Sequence, residues 1–272
     1  MNILDKIAEK TCERTEAEKK QVSLETVRRM AEEKASVEKA AGNGTFTYRF
    51  QQALAGEEIS FICEVKKASP SKGIIAEAFP YLQIAREYEQ AGASAISCLT
   101  EPFWFLGKDE YLKEITGQVQ IPVLRKDFTI DEYMIYQAKN LGASAILLIC
   151  AILDDGQLRA WHQLAAELGL SVLTEAHTEE EIDRALRAGA KILGVNNRNL
   201  KNFTVDVEQS RRLRGMVPED VIFVSESGIK NHADVQALME NGTDAVLIGE
   251  TLMRAADKKA MLDELKNGTS MQ

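Results

Sequence analysis

The sequence predicts an α/β protein in which a helical extension precedes a closed (βα)₈ barrel. From about residue 59 onward, short runs rich in Val, Ile and Leu alternate with longer helical segments. Their spacing of roughly 20–35 residues is the length of one βα unit. Near-continuous apolar runs are typical of strands buried in a parallel sheet. Strands are predicted at residues 59–65, 94–100, 121–127, 144–150, 171–176, 191–197, 221–227 and 244–250.

The alternative to a barrel is a doubly wound open sheet. Such a sheet usually has a switch point in its strand order and often a GxGxxG turn after a strand. Neither pattern is visible in the sequence. Eight strand–helix repeats therefore favour closure into a barrel.

The segments between the strands have helical periodicity and helix-end residues. Residues 80–91 place Leu82, Ala85 and Tyr88 on one face, and Gly92 is suited to end that helix in the left-handed conformation. Asp131 and Thr178 each precede acidic residues, a pattern typical of helix starts.

Residues 1–58 do not follow the repeat. They predict helices at 2–18 and 23–40, a loop at 41–44 and a short helix at 50–54, followed by a barrel over 59–266 in a single domain. Two interpretations of this extension stay open. It is either a solvated helical appendage or a lid over one end of the barrel.

Composition limits the classes of partner and compartment. The net charge is −9, from 33 basic and 42 acidic residues, which disfavours nucleic-acid binding. No apolar stretch reaches the roughly 18 residues of a membrane helix, and the charged N-terminus does not resemble a secretion signal. We expect a cytoplasmic monomer that acts on a small molecule. The cysteines form no CxxC pair, and three lie in apolar runs as expected core thiols: Cys63, Cys98 and Cys150.

Polar side chains recur where the apolar strands end. Strand interiors contain few Lys, Glu or Asn residues, and active sites of such barrels lie at the C-terminal strand ends. Glu64 and Lys66 are two apart, so both side chains are predicted to face the barrel mouth. The alternative interpretation of any one such Lys–Glu pair is a purely structural role. Further polar residues at strand ends are Lys126, Glu175, Asn196, Arg198, Glu226, Ser227 and Glu250.

A phosphate site is predicted after the last two strands. Gly228 and Gly249 lie in loops that lead into helices, and barrels often bind phosphate there. Glycine lets the backbone approach an anion closely, although each glycine alone is also consistent with a tight turn. The carboxylate of Glu250 would repel phosphate, so its backbone N–H is the predicted donor.

The histidines and possible metal ligands offer weaker signals. His162, His177 and His232 are interpreted as non-catalytic, and His177 is expected to point away from Glu175. No His, Cys, Asp or Glu cluster has metal-ligand spacing. We therefore expect no metal and no cofactor.

Five motifs resemble the indole-3-glycerol phosphate synthase family. They are EVKKASPSKG at 64–73, LTE at 99–101 with Phe105, LRKDF at 124–128, GVNNRNL at 194–200 and SESGI at 225–229. The similarity runs from about residue 46 to 255, and the opening ILDKI at 3–7 is also similar. It implies a TIM barrel of the single-function form, a carboxy-lyase of tryptophan biosynthesis.

The resemblance also implies a reaction and a role for each residue. The family converts 1-(2-carboxyphenylamino)-1-deoxyribulose 5-phosphate to indole-3-glycerol phosphate, carbon dioxide and water. Lys126 is implied as the general acid of ring closure, and Glu175 and Lys66 as proton-transfer groups in dehydration. The other implied site residues are Glu64, Asn196 and Glu226 at the sugar hydroxyls, Ser227 for positioning, Arg198 and Lys66 at the carboxylate, Ser69, Gly228, Gly249 and Glu250 at the phosphate, and Phe128, Pro70, Phe105, Leu148 and Leu247 at the anthranilate ring.

Two other functions are weighed against this one. A Schiff-base aldolase would use Lys66 or Lys126 as its nucleophile. A catalytically silent barrel would have no reason to keep buried charges at its mouth.

Overall fold

A computed structural model describes residues 3–199 and 203–268 of the chain. Within these ranges, eight parallel strands form a closed barrel in which each strand pairs with its neighbours in sequence and the first pairs with the last. This confirms the predicted α/β barrel and rules out the open sheet. The strands are β1 Ser60–Val65, β2 Ala95–Leu99, β3 Val123–Lys126, β4 Ala145–Ile149, β5 Ser171–Ala176, β6 Ile192–Asn196, β7 Ile222–Glu226 and β8 Ala245–Ile248.

Helices surround the barrel and precede it. Asp131 and Thr178 cap their helices as predicted, and Gly92 has a φ of +79°. The helices are α1 Ile3–Gln21, α2 Leu24–Ala41, α3 Arg49–Leu54, α4 Tyr81–Gln90, α5 Asp109–Thr116, α6 Glu132–Leu141, α7 Asp155–Glu167, α8 Glu179–Arg187, α9 Glu208–Arg214, α10 His232–Glu240, α11 Glu250–Arg254 and α12 Lys258–Asn267.

The two long N-terminal helices confirm the predicted helices at 2–18 and 23–40, with Asn2 outside the described residues. Helix α2 packs on α6 through Val27, Ala31 and Ala35, which are buried. The amide of Asn140 donates to the Val27 carbonyl at 2.9 Å. Helix α2 is thus attached to the outside of the barrel rather than solvated all round.

Strand residues alternate between two apolar layers. Phe61, Cys63 and Val65 belong to the layer between the strands and the helices, whereas Ile62 belongs to the cluster inside the barrel. Helix α3 contributes two fully buried residues, Phe50 and Leu54, to the inner cluster. This alternation decides which strand residues face the site, because every second side chain points inward.

The predicted core thiols are confirmed. Cys63, Cys98 and Cys150 are buried and free, while Cys12 is exposed on α1. Burial raises the pKa of the Cys63 thiol to about 12, so this thiol is inert at neutral pH. No helix in residues 3–199 or 203–268 combines the length and apolar character needed to cross a bilayer.

Candidate active site

A cavity of ≈ 700 Å³ opens at the C-terminal ends of the strands. Side chains from the strand ends, the following loops and helix α1 line it. The strand-end motifs therefore converge on one site, as the barrel fold requires. The predicted site residues that line it are Glu64, Lys66, Ser69, Pro70, Phe105, Lys126, Phe128, Glu175, Asn196, Arg198, Ser227, Gly228, Leu247, Gly249 and Glu250.

Two predicted residues lie elsewhere. Leu148 is wrongly placed by the prediction: its fully buried side chain lies in the outer apolar layer, and its neighbours Leu147 and Ile149 line the cavity. The reason is the alternation of side chains along β4, which turns Leu148 toward the helices. Glu226 is buried behind Lys126 and does not line the cavity itself.

A network of alternating charges forms the cavity floor. Nζ of Lys126 lies 3.0 Å from Oε2 of Glu226 and 3.5 Å from Oε2 of Glu64. The other oxygen of Glu64 accepts from Nζ of Lys66 at 2.5 Å. Glu64 therefore bridges the two lysines, and the predicted common orientation of Glu64 and Lys66 is confirmed.

These contacts shift the protonation of the buried groups. Burial disfavours the charged form of Lys126, but Glu226, Glu64 and Glu175 outweigh it and raise the pKa of this lysine. Burial opposes the ionisation of Glu64, yet the two lysines lower the pKa of its carboxyl. Burial raises the pKa of Glu226 to about 7. The charge of Lys126 opposes this rise, whereas the charges of Glu175 and Glu64 add to it. Lys126 is thus held as a cation facing the cavity.

Two glycines leave room for this network. A Cβ added at Gly194, on β6, would overlap Oε1 of Glu226. A Cβ added at Gly249 would overlap Oε1 of Glu64 and lie 2.7 Å from Nζ of Lys66. Glycine at both positions is therefore explained by close approach of the charged side chains.

Glu175 lies across the floor from the lysine network. Its Oε2 accepts from the amide of Asn196 at 3.4 Å, and Oδ1 of Asn196 accepts from the backbone N–H of Arg198 at 3.0 Å. The prediction for His177 is wrong, because Nε2 of its ring lies 3.6 Å from Oε1 of Glu175. Residues 175 and 177 are two apart, so side-chain alternation itself places both on the same side of the chain, and the prediction overlooked this.

The rim beside α11 is positively charged around one carboxylate. Glu250 pairs with Lys72 at 3.4 Å, with Arg254 at 3.2 Å and with Arg198 at 4.0 Å. Burial opposes its ionisation, but hydrogen bonds from Arg254 and Lys72 lower the pKa of Glu250. The sequence reasoning missed Lys72 and Arg254 as site residues, although Lys72 lies in the first motif.

The opposite wall is apolar. The rings of Phe105 and Phe128 lie 6.1 Å apart, and α1 adds Ile3, Leu4 and Ile7 to the same cavity. No residue of α1 was predicted to lie in the site, because the role of the N-terminal extension was left open. A flat aromatic group fits this wall, whereas an anion fits the cationic rim. Within residues 3–199 and 203–268, no group of three or more His, Cys, Asp or Glu side chains is arranged to hold a metal ion.

Comparison with known protein families gives an independent result. The family model described as indole-3-glycerol phosphate synthase matches residues 4–265. The chain belongs to this family. An indole-3-glycerol phosphate synthase of Ruminiclostridium cellulolyticum is 54% identical over 97% of this chain and 98% of its own length. The one from Endomicrobium trichonymphae is 52% identical over 97% of this chain and all of its own length.

Solved structures with much lower identity share the fold of this family member. A 3-hexulose-6-phosphate synthase from Salmonella typhimurium matches with a TM-score of 0.63 and 14% identity, over 76% of this chain and 97% of its own. A thiamine phosphate pyrophosphorylase from Pyrococcus furiosus matches with a TM-score of 0.59 and 17% identity, over 79% of this chain and 95% of its own. At such identities the likeness concerns the barrel alone.

Proposed function

We propose that this chain closes the indole ring of 1-(2-carboxyphenylamino)-1-deoxyribulose 5-phosphate, yielding indole-3-glycerol phosphate, carbon dioxide and water. Membership of the indole-3-glycerol phosphate synthase family supports the reaction. The observation that carries the catalytic proposal is Lys126, a buried cation between Glu64 and Glu226 that faces the cavity. The substrate class needs a mouth with both an aromatic wall and cationic groups, and this cavity has both.

Ring closure requires a proton donor at the substrate carbonyl. As the aromatic carbon attacks the carbonyl carbon, negative charge grows on the oxygen, and Nζ of Lys126 donates a proton to it. Glu64 and Glu226 hold this amine in its charged form, so a donor is present at neutral pH. The carboxyl group of the ring then leaves as carbon dioxide, and its bonding electrons return to the ring.

Dehydration requires an acid at the departing hydroxyl and a base at the ring proton. Glu175 and Lys66 both line the cavity, and we assign the two proton transfers to them. Asn196 holds Oε2 of Glu175, and Glu64 holds Nζ of Lys66. Glu64 and Asn196 would also bind the sugar hydroxyls, whereas Glu226, behind Lys126, would act only by holding that lysine, and Ser227 would position the substrate.

The ends of the substrate match the two walls of the cavity. Arg198 and Lys66 are the proposed partners of the substrate carboxylate, and Ser69 with the backbone of Gly228, Gly249 and Glu250 those of the phosphate. The anthranilate ring would lie against Phe105, Phe128, Pro70 and Leu247, with Leu147 in the place that was predicted for Leu148. The reaction involves no net redox change, and we assign its proton transfers to Lys126, Lys66 and Glu175.

A Schiff-base mechanism fits this geometry less well. Nucleophilic attack on a carbonyl needs a neutral amine, but two carboxylates hold Lys126 as a cation. Nζ of Lys66 forms an ion pair with Glu64 at 2.5 Å, so the amine of Lys66 is also paired with a carboxylate. Both lysines are therefore better suited to donate protons than to form covalent bonds.

Indole fluorescence on mixing protein with the carboxyphenylamino-deoxyribulose phosphate tests the proposal. We expect product from the wild type and a loss of about 10²–10⁴-fold in kcat for Lys126→Met, the usual contribution of a general acid. Lys113→Met, at an exposed position of α5, is the matched control and should keep full activity. Absence of product from the wild type, or covalent trapping of the substrate by borohydride, would overturn the proposed reaction. Full activity of Lys126→Met would overturn the assigned acid.

A further inference from the structure

His177 lies between two carboxylates, one of which faces the candidate active site. Nε2 of its ring is 3.6 Å from Oε1 of Glu175, and Nδ1 is 3.6 Å from Oε2 of Glu181 on α8. Among the described residues, neither Nε2 of His177 nor Oε1 of Glu175 has a hydrogen-bond partner, and both atoms are buried. Two buried polar atoms of complementary character thus face each other with no competing partner.

The backbone around His177 keeps the ring in this place. Its N–H donates to Oε2 of Glu181 at 2.6 Å, and its carbonyl accepts from the amide of Gln209 at 3.0 Å. The side chain is only 16% exposed. One ring nitrogen is therefore directed to α8 and the other to the end of β5.

The surroundings of the ring favour a positive charge. Glu181 faces it from α8, Glu175 from β5, and Glu226 acts from β7, while Arg184 acts on Glu181. Burial opposes protonation of His177, but the hydrogen bond and charge of Glu181 and the charge of Glu175 outweigh it, and its pKa is raised. The imidazolium, which donates from both nitrogens, satisfies both carboxylates at once.

We propose that His177 is a positioning residue of the candidate active site, whose imidazolium holds Oε1 of Glu175 so that Oε2 stays with Asn196 at the cavity. This rests on the proposed function of Glu175 in dehydration. His177 does not itself line the cavity and acts through Glu175, which does. A carboxylate held at both oxygens presents one fixed lone pair to the substrate, which favours proton transfer because geometry is set in advance.

A second buried histidine provides a matched control. Nε2 of His162 lies 2.9 Å from the hydroxyl of Thr174, the residue before Glu175, on the outer side of β5. Burial lowers the pKa of His162 to about 4. His162 is thus neutral over the range in which His177 titrates, and His162→Gln should leave the pH profile unchanged.

Carbon-13 NMR of labelled histidine tests the contact without any substrate. The chain has three histidines, so the ring signals can be assigned by single substitutions. We expect the titration midpoint of His177 to lie above 6.5 and to fall by about 1 pH unit or more in Glu181→Gln and in Glu175→Gln, because each removes an opposite charge. A midpoint at or below 6.5, or one that neither substitution moves, would overturn the proposal.

The pH dependence of kcat tests the positioning role. In the wild type, kcat should fall as pH rises through the pKa of His177, because the imidazolium is the active form. His177→Gln should lose that limb and have a kcat about 10- to 100-fold lower, with KM little changed, since misplacement of a catalytic group has effects of this size. Glu181→Gln should keep the limb but shift it to lower pH, and it replaces His177→Gln if the latter fails to fold.

The two tests separate this inference from the proposed function. An unchanged pH profile in both His177→Gln and Glu181→Gln, with normal kcat, would show that His177 has only a structural role. If the wild type forms no indole product, the proposed reaction fails. The NMR titration then still decides whether His177 and Glu175 form the charged contact.

Discussion

Nη2 of Arg14, on the first helix, lies 3.1 and 3.0 Å from the two carboxylate oxygens of Asp127. Asp127 follows Lys126 at the end of β3, is fully buried, and also accepts from the hydroxyl of Thr100 at 2.6 Å. Burial opposes ionisation of Asp127, but Arg14 and Arg125 lower its pKa. Helix α1 is therefore attached to the barrel next to the proposed acid.

We predict that Arg14→Met destabilises the protein by about 1–3 kcal/mol at pH 7, because a buried carboxylate loses one charged partner. The folded-state pKa of Asp127 is lowered, so its pairing stabilises the fold above the ordinary pKa and loses this effect as pH falls. The difference from wild type should hold at pH 5–7 and shrink below about pH 4. Urea unfolding at several pH values measures it. Arg29→Met, which affects an exposed pair with Glu33, is the control, and equal behaviour of the two variants would contradict the prediction.

The lid interpretation of α1 predicts an effect on substrate binding. Ile7 lines the cavity and is 2% exposed, so Ile7→Ala should raise KM about 10-fold, equivalent to ~1.4 kcal/mol, with kcat little changed. Met30→Ala, on the exposed face of α2, should leave KM unaltered. Steady-state kinetics measures both constants, and an unaltered KM for Ile7→Ala would show that α1 borders the cavity without contributing to substrate binding. Deleting residues 1–44 is a blunter test, because α2 buries Val27 and Ala31 on the barrel.

The raised pKa of Glu226 makes the stability of the fold depend on pH. Its pKa is about 7 in the folded protein against an ordinary 4.5, so the native state binds more protons than the unfolded state between these values. Stability therefore falls as pH rises through this window, by up to about 3 kcal/mol. Glu226→Gln should flatten this dependence, whereas Glu240→Gln, exposed on α10, should retain it. Unfolding free energies at pH 5 to 8 check this, and parallel curves for wild type and Glu226→Gln would refute it.

We predict that the carboxylate of Glu250 competes with phosphate for the cations of the proposed phosphate site. Its carboxylate occupies Lys72, Arg198 and Arg254 at the rim. Glu250→Gln leaves these cations unpaired and removes a negative charge that repels phosphate. Inorganic phosphate should therefore inhibit the variant about 3- to 10-fold more strongly than the wild type, and added salt should reduce the difference. Glu58→Gln, exposed just before β1 at the other end of the barrel, changes the net charge equally and should not alter inhibition. Equal inhibition of the two variants would mean that Glu250 does not compete.

Much of the fold was predictable because its signals are local. The apolar run at 171–176 predicted β5 with the bounds that the structure has, and Asp131 and Thr178 identified helix starts from their own neighbours. The cavity residues were predictable for a related reason. A barrel brings its C-terminal strand ends together, so polar residues such as Glu64, Lys126 and Glu175 had to meet.

The wrong predictions for Leu148 and His177 concern the direction of the side chain rather than the position of the residue in the fold. Leu148 lies in a strand that is buried on both faces, so its hydrophobic pattern does not indicate which residues face inward. His177 is two residues after Glu175 and lies on the same side of the chain, so alternation indicated its direction and the prediction misjudged it. Only the direction of Leu148 needs the surrounding elements to be known.

The sequence by itself determined the barrel, its order of strands and helices, the family and about half of the cavity lining. Only the tertiary structure decided that α1 borders the cavity, that three cations share Glu250 and that His177 lies between Glu175 and Glu181 of α8. Periodicity and helix caps arise from residues within a few positions of one another, and a sequence displays them directly. Arg14 and Asp127 are 113 residues apart, and their contact exists only because the whole chain packs into one closed barrel.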